Sequence, residues 1–273
     1  MKNQSVFWSI QPPDGGKISY LLGTMHLLHQ NYLPAFNSLE FLIKECGLFA
    51  LEVNPEHAAE LTGEALFLPE GQRMSDFFIQ SHFEKHRKFL LKATKIDLRH
   101  FDKILPIHLI SEITRRCFLK SGETFYPDQF LWQKAARLGL TTFGLETFEE
   151  DLHIMRRIPL QYQIQSLKKT LQKFSTFKRQ LKKSENNYIN GRLSELYKQS
   201  KNGLSNQKRN LLYERNQKMA ERITNLAGEH KLFGAVGVAH LPGKYGILRI
   251  LKNKGWKLSP LKFELRISKK AGQ

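Results

Sequence analysis

Tyr20-Leu21-Leu22-Gly23-Thr24-Met25-His26 is a short apolar run that breaks at a glycine and delivers a histidine. Some two hundred residues later, Phe233-Gly234-Ala235-Val236-Gly237-Val238-Ala239-His240-Leu241-Pro242-Gly243 does the same. Each reads as a buried strand whose carboxyl end opens into a Gly-x-x-His loop. Gly234, Ala235, Gly237 and Ala239 carry little or no side chain, so backbone or a ligand can approach closely. Two histidines at two strand ends are what a shared site at the edge of an α/β sheet needs.

Two further runs behave alike. Leu48-Phe49-Ala50-Leu51-Glu52-Val53-Asn54 is an apolar strand with a carboxylate near its far end, closed by Pro55. Burying an ionised glutamate there is costly without a cation or donor beside it. Leu140-Thr141-Thr142-Phe143-Gly144-Leu145-Glu146 reads as a third buried strand ending in an acid, after which Thr147 starts a helix. Between the first two strands, Asn37 or Ser38 is placed to cap a helix through Ile43. Strand, helix and strand in so short a span predict a βαβ unit with parallel strands. At the amino end, Asp14-Gly15-Gly16 between two apolar runs predicts a hairpin. Trp256 and the residues after it predict a final strand.

In an open parallel sheet the crevice lies at the carboxyl ends of the strands, so His26, Glu52, Glu146 and His240 are expected to converge. Two imidazoles with carboxylates and no thiolate suit Mn²⁺, Co²⁺, Fe²⁺ or Zn²⁺. Three such ligands leave a position for water and lower its pKa. A carboxylate outside the ligand set is then available as a general base. Arg215, on a predicted helix, can stabilise an oxyanion or grip a substrate carboxylate.

The rest reads as helix. Leu160, Ile164, Leu167, Leu171, Phe174, Phe177 and Leu181 form the stripe of one long amphipathic helix. Another helix is expected over residues 188–197 and a third over 211–226. His82 and His86 are four apart but lack the glutamate directly after the first histidine that a zinc-protease helix carries, so no metal site is assigned there.

Composition bounds the rest. The chain has 273 residues, 41% hydrophobic and 25% charged, as ordinary globular proteins do. No apolar run approaches the ~18 residues of a membrane span, and the first residues have no secretory leader pattern. Cys46 and Cys117 are the only cysteines, which suits a reducing compartment, and a cytoplasmic location is expected. The formal charge is +18, unevenly spread: residues 1–155 hold 16 Lys and Arg against 19 Asp and Glu, residues 156–273 hold 27 against 6. That basic half favours an anionic surface as a partner. Nucleic acid is not expected, because the basic helices lack interleaved stacking aromatics.

Gly23-Thr24-Met25-His26 together with Gly237-Val238-Ala239-His240-Leu241-Pro242-Gly243 resembles the paired signature motifs of the TraB/PrgY/GumN family, which includes the Tiki-type metal-dependent peptidases. Leu51-Glu52-Val53, Asp128, Gly144-Leu145-Glu146-Thr147 and Glu214-Arg215-Asn216 stand where that family carries its other polar residues, so the likeness covers most of the chain. It implies a Tiki/EreA/ChaN-like α/β fold. This has a mostly parallel central sheet, an N-terminal hairpin, flanking helices and helical insertions at about 55–140 and 147–228 of a single domain. The expected site has His26, His240 and Glu52 on a divalent metal, with Glu52, Glu146 and Arg215 in catalysis. Asp128, Arg215 and Asn216 are expected at the substrate. The implied activity is metal-dependent hydrolysis of a peptide or amide bond. The alternative is a regulator that binds and sequesters a peptide in the same cleft. Tiki-type relatives are membrane-anchored, and this chain departs from them there.

Overall fold

The computed structural model describes residues 5–56, 66–119, 122–201 and 206–265. Its strands are β1 (Phe7–Gln11), β2 (Ser19–Thr24), β3 (Leu28–His29), β4 (Leu48–Val53), β5 (Thr124–Phe125), β6 (Thr141–Glu146), β7 (Leu232–Gly237) and β8 (Lys257–Leu261). Six of them form one sheet in the order β6-β4-β7-β2-β1-β8. β6, β4, β7 and β2 run parallel, and β1 and β8 run antiparallel to their neighbours. The hairpin turn after β1 holds Gly15 at φ +82°, a conformation glycine adopts without steric cost.

β7 lies between β2 and β4, so the two strands expected to form a βαβ pair share one sheet and one direction but do not touch as neighbours. This insertion places Gly23 beside Val236 and Thr24 beside Gly237, so both Gly-x-x-His turns leave the sheet side by side. Tyr20, Phe233 and Phe49 stand in register across β2, β7 and β4, with the last two rings stacked 5.9 Å apart. Such cross-strand pairs hold register, because a slip by one residue would turn every ring to the other face. β7 is buried along nearly its whole length, as a central parallel strand must be.

β6 corrects the sequence reading. It is an edge strand with β4 as its partner in the sheet, so Thr141, Phe143 and Gly144 face solvent while Leu145 and Glu146 are buried.

The helices are α1 (Leu33–Asn37), α2 (Glu40–Lys44), α3 (Gln80–Thr94), α4 (Pro106–Leu119), α5 (Pro127–Arg137), α6 (Phe148–Arg156), α7 (Leu160–Gln172), α8 (Phe174–Ile189), α9 (Leu193–Lys201), α10 (Asn206–Glu229) and α11 (Ile247–Asn253). Asn37 and Ser38 do not cap α2: its N-cap is Leu39, and the Ser38 hydroxyl donates back to the Ala35 carbonyl. Ser and Asn side chains compete for nearby backbone groups in this way. The stripe from Leu160 to Leu181 belongs to two helices, not one, because Lys173 leaves helical geometry at φ −115°, ψ 40°. Successive steps of three at Leu171, Phe174 and Phe177 had already rotated the stripe there. The helix expected over 188–197 is likewise divided at Gly191, where φ is +63°.

The chain divides into two compact units. One holds residues 1–56, 124–151 and 184–273, and the other holds 57–123 and 152–183. The residues of the two expected insertions are thus shared out between them. The first unit is built on the sheet. The second is helical around Phe83, Leu90, Leu98, Leu109, Ile113 and Leu167. Among the described residues no helix is long and apolar enough to cross a membrane.

Candidate active site at the carboxyl edge of the sheet

All the sequence-selected polar residues lie in the sheet unit, where β2, β4, β6 and β7 end. Glu146 is the last residue of β6 and has no exposed side-chain area. The helix that follows is started by a capping box: Glu150 N–H donates to Thr147 Oγ1, and Thr147 N–H donates to Glu150 Oε2. Arg222 from α10 ties the same corner down, donating to the Leu145 carbonyl and to Glu150.

Arg215, also on α10, is the hub. Its Nε lies 3.0 and 2.8 Å from the two Glu146 oxygens, and its Nη2 lies 2.5 Å from both Glu146 Oε2 and Glu52 Oε1. Asp151 Oδ1 approaches the same Nη2 at 3.4 Å. One guanidinium therefore serves three carboxylates. Burial raises the pKa of Glu146 and of Asp151 beyond what Arg215 pulls back. Burial would raise Glu52 too, yet His240, Arg215 and His26 together hold it well below the ordinary carboxylate range.

Glu52 is also fixed from the β7 side. Its Oε2 accepts the Gly237 N–H at 2.8 Å, and a Cβ on Gly237 would stand only 3.0 Å from that oxygen. Its Oε1 is 3.5 Å from His240 Nε2. His240 is buried, and its Nδ1 lies 2.6 Å from Asn216 Oδ1. The Asn216 amide nitrogen donates to the Tyr245 carbonyl, which assigns Oδ1 as the atom facing the imidazole. Nδ1 then carries a hydrogen, and Nε2 is the ring atom that faces the Glu52 carboxylate. Asn216 thus spends both amide ends inside the protein, behind His240.

His26 sits in the turn after β2 with its ring 85% exposed. Its Nδ1 lies 3.3 Å from Asp128 Oδ2 in the first turn of α5. That hydrogen bond is the main cause raising its pKa to about 9, with burial opposing it. Solvent at so open a ring screens the pairing. Asp128 is not the N-cap of α5; Tyr126 is. The His26 charge also reaches Glu52 and Arg215.

The donor chemistry fits a divalent cation. Both histidines have Nδ1 committed to an oxygen acceptor, the arrangement that orients Nε2 for a metal. Around them, Glu52, Glu146 and Asp151 face one permanent cation, Arg215, while Asp128 faces His26. Among the described residues, no group of three or more His, Cys, Asp or Glu side chains is preset around a single ion position. Sequence reasoning missed Asp151, which no motif marks. It also missed the Thr147-x-x-Glu150 capping box, whose signature was there to be read.

The profile of the TraB/PrgY/gumN family matches residues 6–260. The chain belongs to that family. Its membership agrees with the paired Gly-x-x-His turns now seen side by side on β2 and β7. This TraB/PrgY/gumN chain is also similar to Metalloprotease TIKI2 of Danio rerio, at 21% identity over 314 residues. The match takes in 93% of this chain and 60% of that protein, so the chain spans less than two thirds of the relative's length. No solved structure matches the chain.

Proposed function

We propose that this chain is a divalent-metal-dependent hydrolase acting on a peptide or amide bond, with Glu52, His240 and His26 as the metal's protein ligands. One observation carries the reading: His240 Nε2 lies 3.5 Å from Glu52 Oε1 while its Nδ1 is committed to Asn216. With Nδ1 taken by Asn216, His240 Nε2 and the Glu52 carboxylate are two donor atoms within reach of one cation. The likeness to Metalloprotease TIKI2 and the family membership support the same class. Mn²⁺, Co²⁺ or Zn²⁺ suits this mixed N/O set and, when bound, supplies an activated water at neutral pH.

The protein groups around that chemistry have separable tasks. Asn216 and Asp128 accept from the two Nδ1 atoms and so turn Nε2 outward, and His26 would give up its second proton on binding a metal. Glu146 is enclosed and clamped by Arg215, so its task is to fix that guanidinium. The described hydrogen bonds of Arg215 use Nε and Nη2, and Nη1 is assigned to a substrate carbonyl. Asp151 is 21% exposed beside the same guanidinium, and burial raises its pKa. It is the carboxylate best placed to carry the proton from water to the leaving amine.

The test is calorimetric titration of chelator-stripped protein with Mn²⁺, Co²⁺ and Zn²⁺, alongside mass-spectrometric cleavage of a peptide library. One equivalent should bind, and metal-dependent cleavage should appear. Both should vanish in His26→Ala and His240→Ala, with the melting temperature held. No metal uptake by the parent chain, or uptake unchanged in His240→Ala, overturns the metal site. Saturable peptide binding without turnover would replace hydrolysis by sequestration.

A further inference from the structure

On the antiparallel side of the sheet unit lies a cavity of about 430 Å³, a size typical of small-molecule sites. Its walls are apolar: Trp8 on β1, Leu193 on α9, Leu248 on α11, then Trp256 and Leu258. Its rim is not. Arg249, Lys252 and Lys257 line it, all three are exposed, and among the described residues none has an acidic partner within 4 Å. The imbalance is written into the chain, since residues 230–263 contain seven Lys and Arg and not one Asp or Glu. On the other flank of α11, a second hollow lined by Lys244, Arg249 and Lys254 has the same sign.

The cavity's shape is built rather than incidental. The Trp8 indole N–H donates to the Ser5 carbonyl, which fixes that ring as a wall. Leu241, Pro242 and Gly243 close one end, and this loop has no slack. A Cβ on Gly243 would stand 2.2 Å from the Tyr197 ring, and one on Gly246 would stand 2.3 Å from the Pro242 carbonyl oxygen. Nothing in the hydrolase reading uses the cavity or its cations.

We propose that this cavity binds an amphipathic organic anion: a carboxylate carried on an acyl or aromatic body. The indoles and leucines take the apolar body out of water, and the three cations meet the carboxylate at the rim. Indole walls favour a flat or chain-like body over a branched one. An uncharged ligand of the same body would leave the cations unmatched, and a cationic ligand would be repelled. The cavity adjoins the His240 turn through Leu241, Pro242 and Gly243, but it takes none of the side chains assigned to the hydrolase reading, so its binding does not depend on whether the chain hydrolyses anything.

Decanoate is the probe, with decanol and decyltrimethylammonium as the neutral and cationic counterparts of the same chain length. Binding is read by calorimetry and by the fluorescence of Trp8 and Trp256, against a Trp256→Phe variant that removes one reporter. Decanoate should bind saturably at one site, at least about tenfold more tightly than decanol, and less tightly as salt rises. Arg249→Glu with Lys252→Glu should weaken it by about tenfold or more and leave decanol binding unchanged. Arg249→Gln with Lys252→Gln provides the same comparison without charge reversal, should the first pair fold poorly. Equal affinities for decanoate and decanol overturn the proposal. So does unchanged decanoate binding in both charge variants, or no saturable binding by the parent chain.

Discussion

Thr24 and Gly237 are register partners on adjacent parallel strands, although 213 positions separate them in the chain. From that one pairing the geometry of the site follows: the turn that carries His26 and the turn that carries His240 start from neighbouring points. Gly237 N–H then reaches across to Glu52, which joins a third strand to the same corner.

Gly23 tests how tightly the two turns are meshed. A Cβ there would lie 2.7 Å from Leu241 Cδ1 and 3.1 Å from the Val238 backbone. Gly23→Ala should therefore cost about 1–3 kcal/mol by overpacking. Thermal and denaturant melts would show it, and an unchanged melting point would mean that the second turn yields freely.

Arg215→Met should destabilise the fold by about 3–5 kcal/mol, because it leaves the buried Glu146 and the half-buried Glu52 and Asp151 without their cation. The pH dependence has a definite sign. In the parent, the Glu52 pKa is depressed from 4.5, so its stabilisation is complete above that value and is lost as the pH falls. In the variant Glu146 and Asp151 lose the cation that opposed burial, which raises their pKa values further, so the variant gains stability on acidification. Denaturant melts near pH 5 and pH 7.5 should show the gap between the two proteins narrowing at the lower pH.

Asn216→Leu removes the acceptor for His240 Nδ1 and should reduce metal affinity by about 10–100-fold. Asn216→Asp keeps that acceptor and should retain most of the affinity. Calorimetric titration of both variants distinguishes a role in orienting the ring from one in packing, since packing loss would affect both alike.

The capping box makes a separate forecast about β6 and its terminal Glu146. Thr147→Ala should cost about 1 kcal/mol. The Glu150 carboxyl, hydrogen-bonded by Arg222, is held down to about 2 from 4.5. Its contribution is therefore present above 4.5 and disappears as the pH falls toward 2. Glu150→Gln should flatten the stability profile over that acid range, as followed by circular dichroism.

Strand positions were legible because each apolar run stops at a glycine or an acid, and local pattern is enough to show that. Partner choice was not. Nothing in residues 20–53 signals that β7 will enter between β2 and β4, since pairing is decided by which surfaces fit after the chain returns. β6 was misread as buried for the same reason: Leu140, Phe143 and Leu145 look like core, but an edge strand can leave Phe143 in water. Glu52, Glu146 and Arg215 were legible as a set, whereas the inward role of Asn216 was not, because an amide carries no sign of which way it faces. Asp151 was hidden among the acids that any helix start attracts.

The central position of β7 also sets an order of events during synthesis. β2, β4 and β6 leave the ribosome well before the strand that must lie between the first two, so long-range pairing completes the sheet late. Until then β2 and β4 each present an open edge to the surroundings. A nascent chain stalled before residue 232 would carry both liabilities and no assembled site. Expression should therefore be sensitive to chaperone supply, and the site becomes competent only once β7, which begins at Leu232, has arrived.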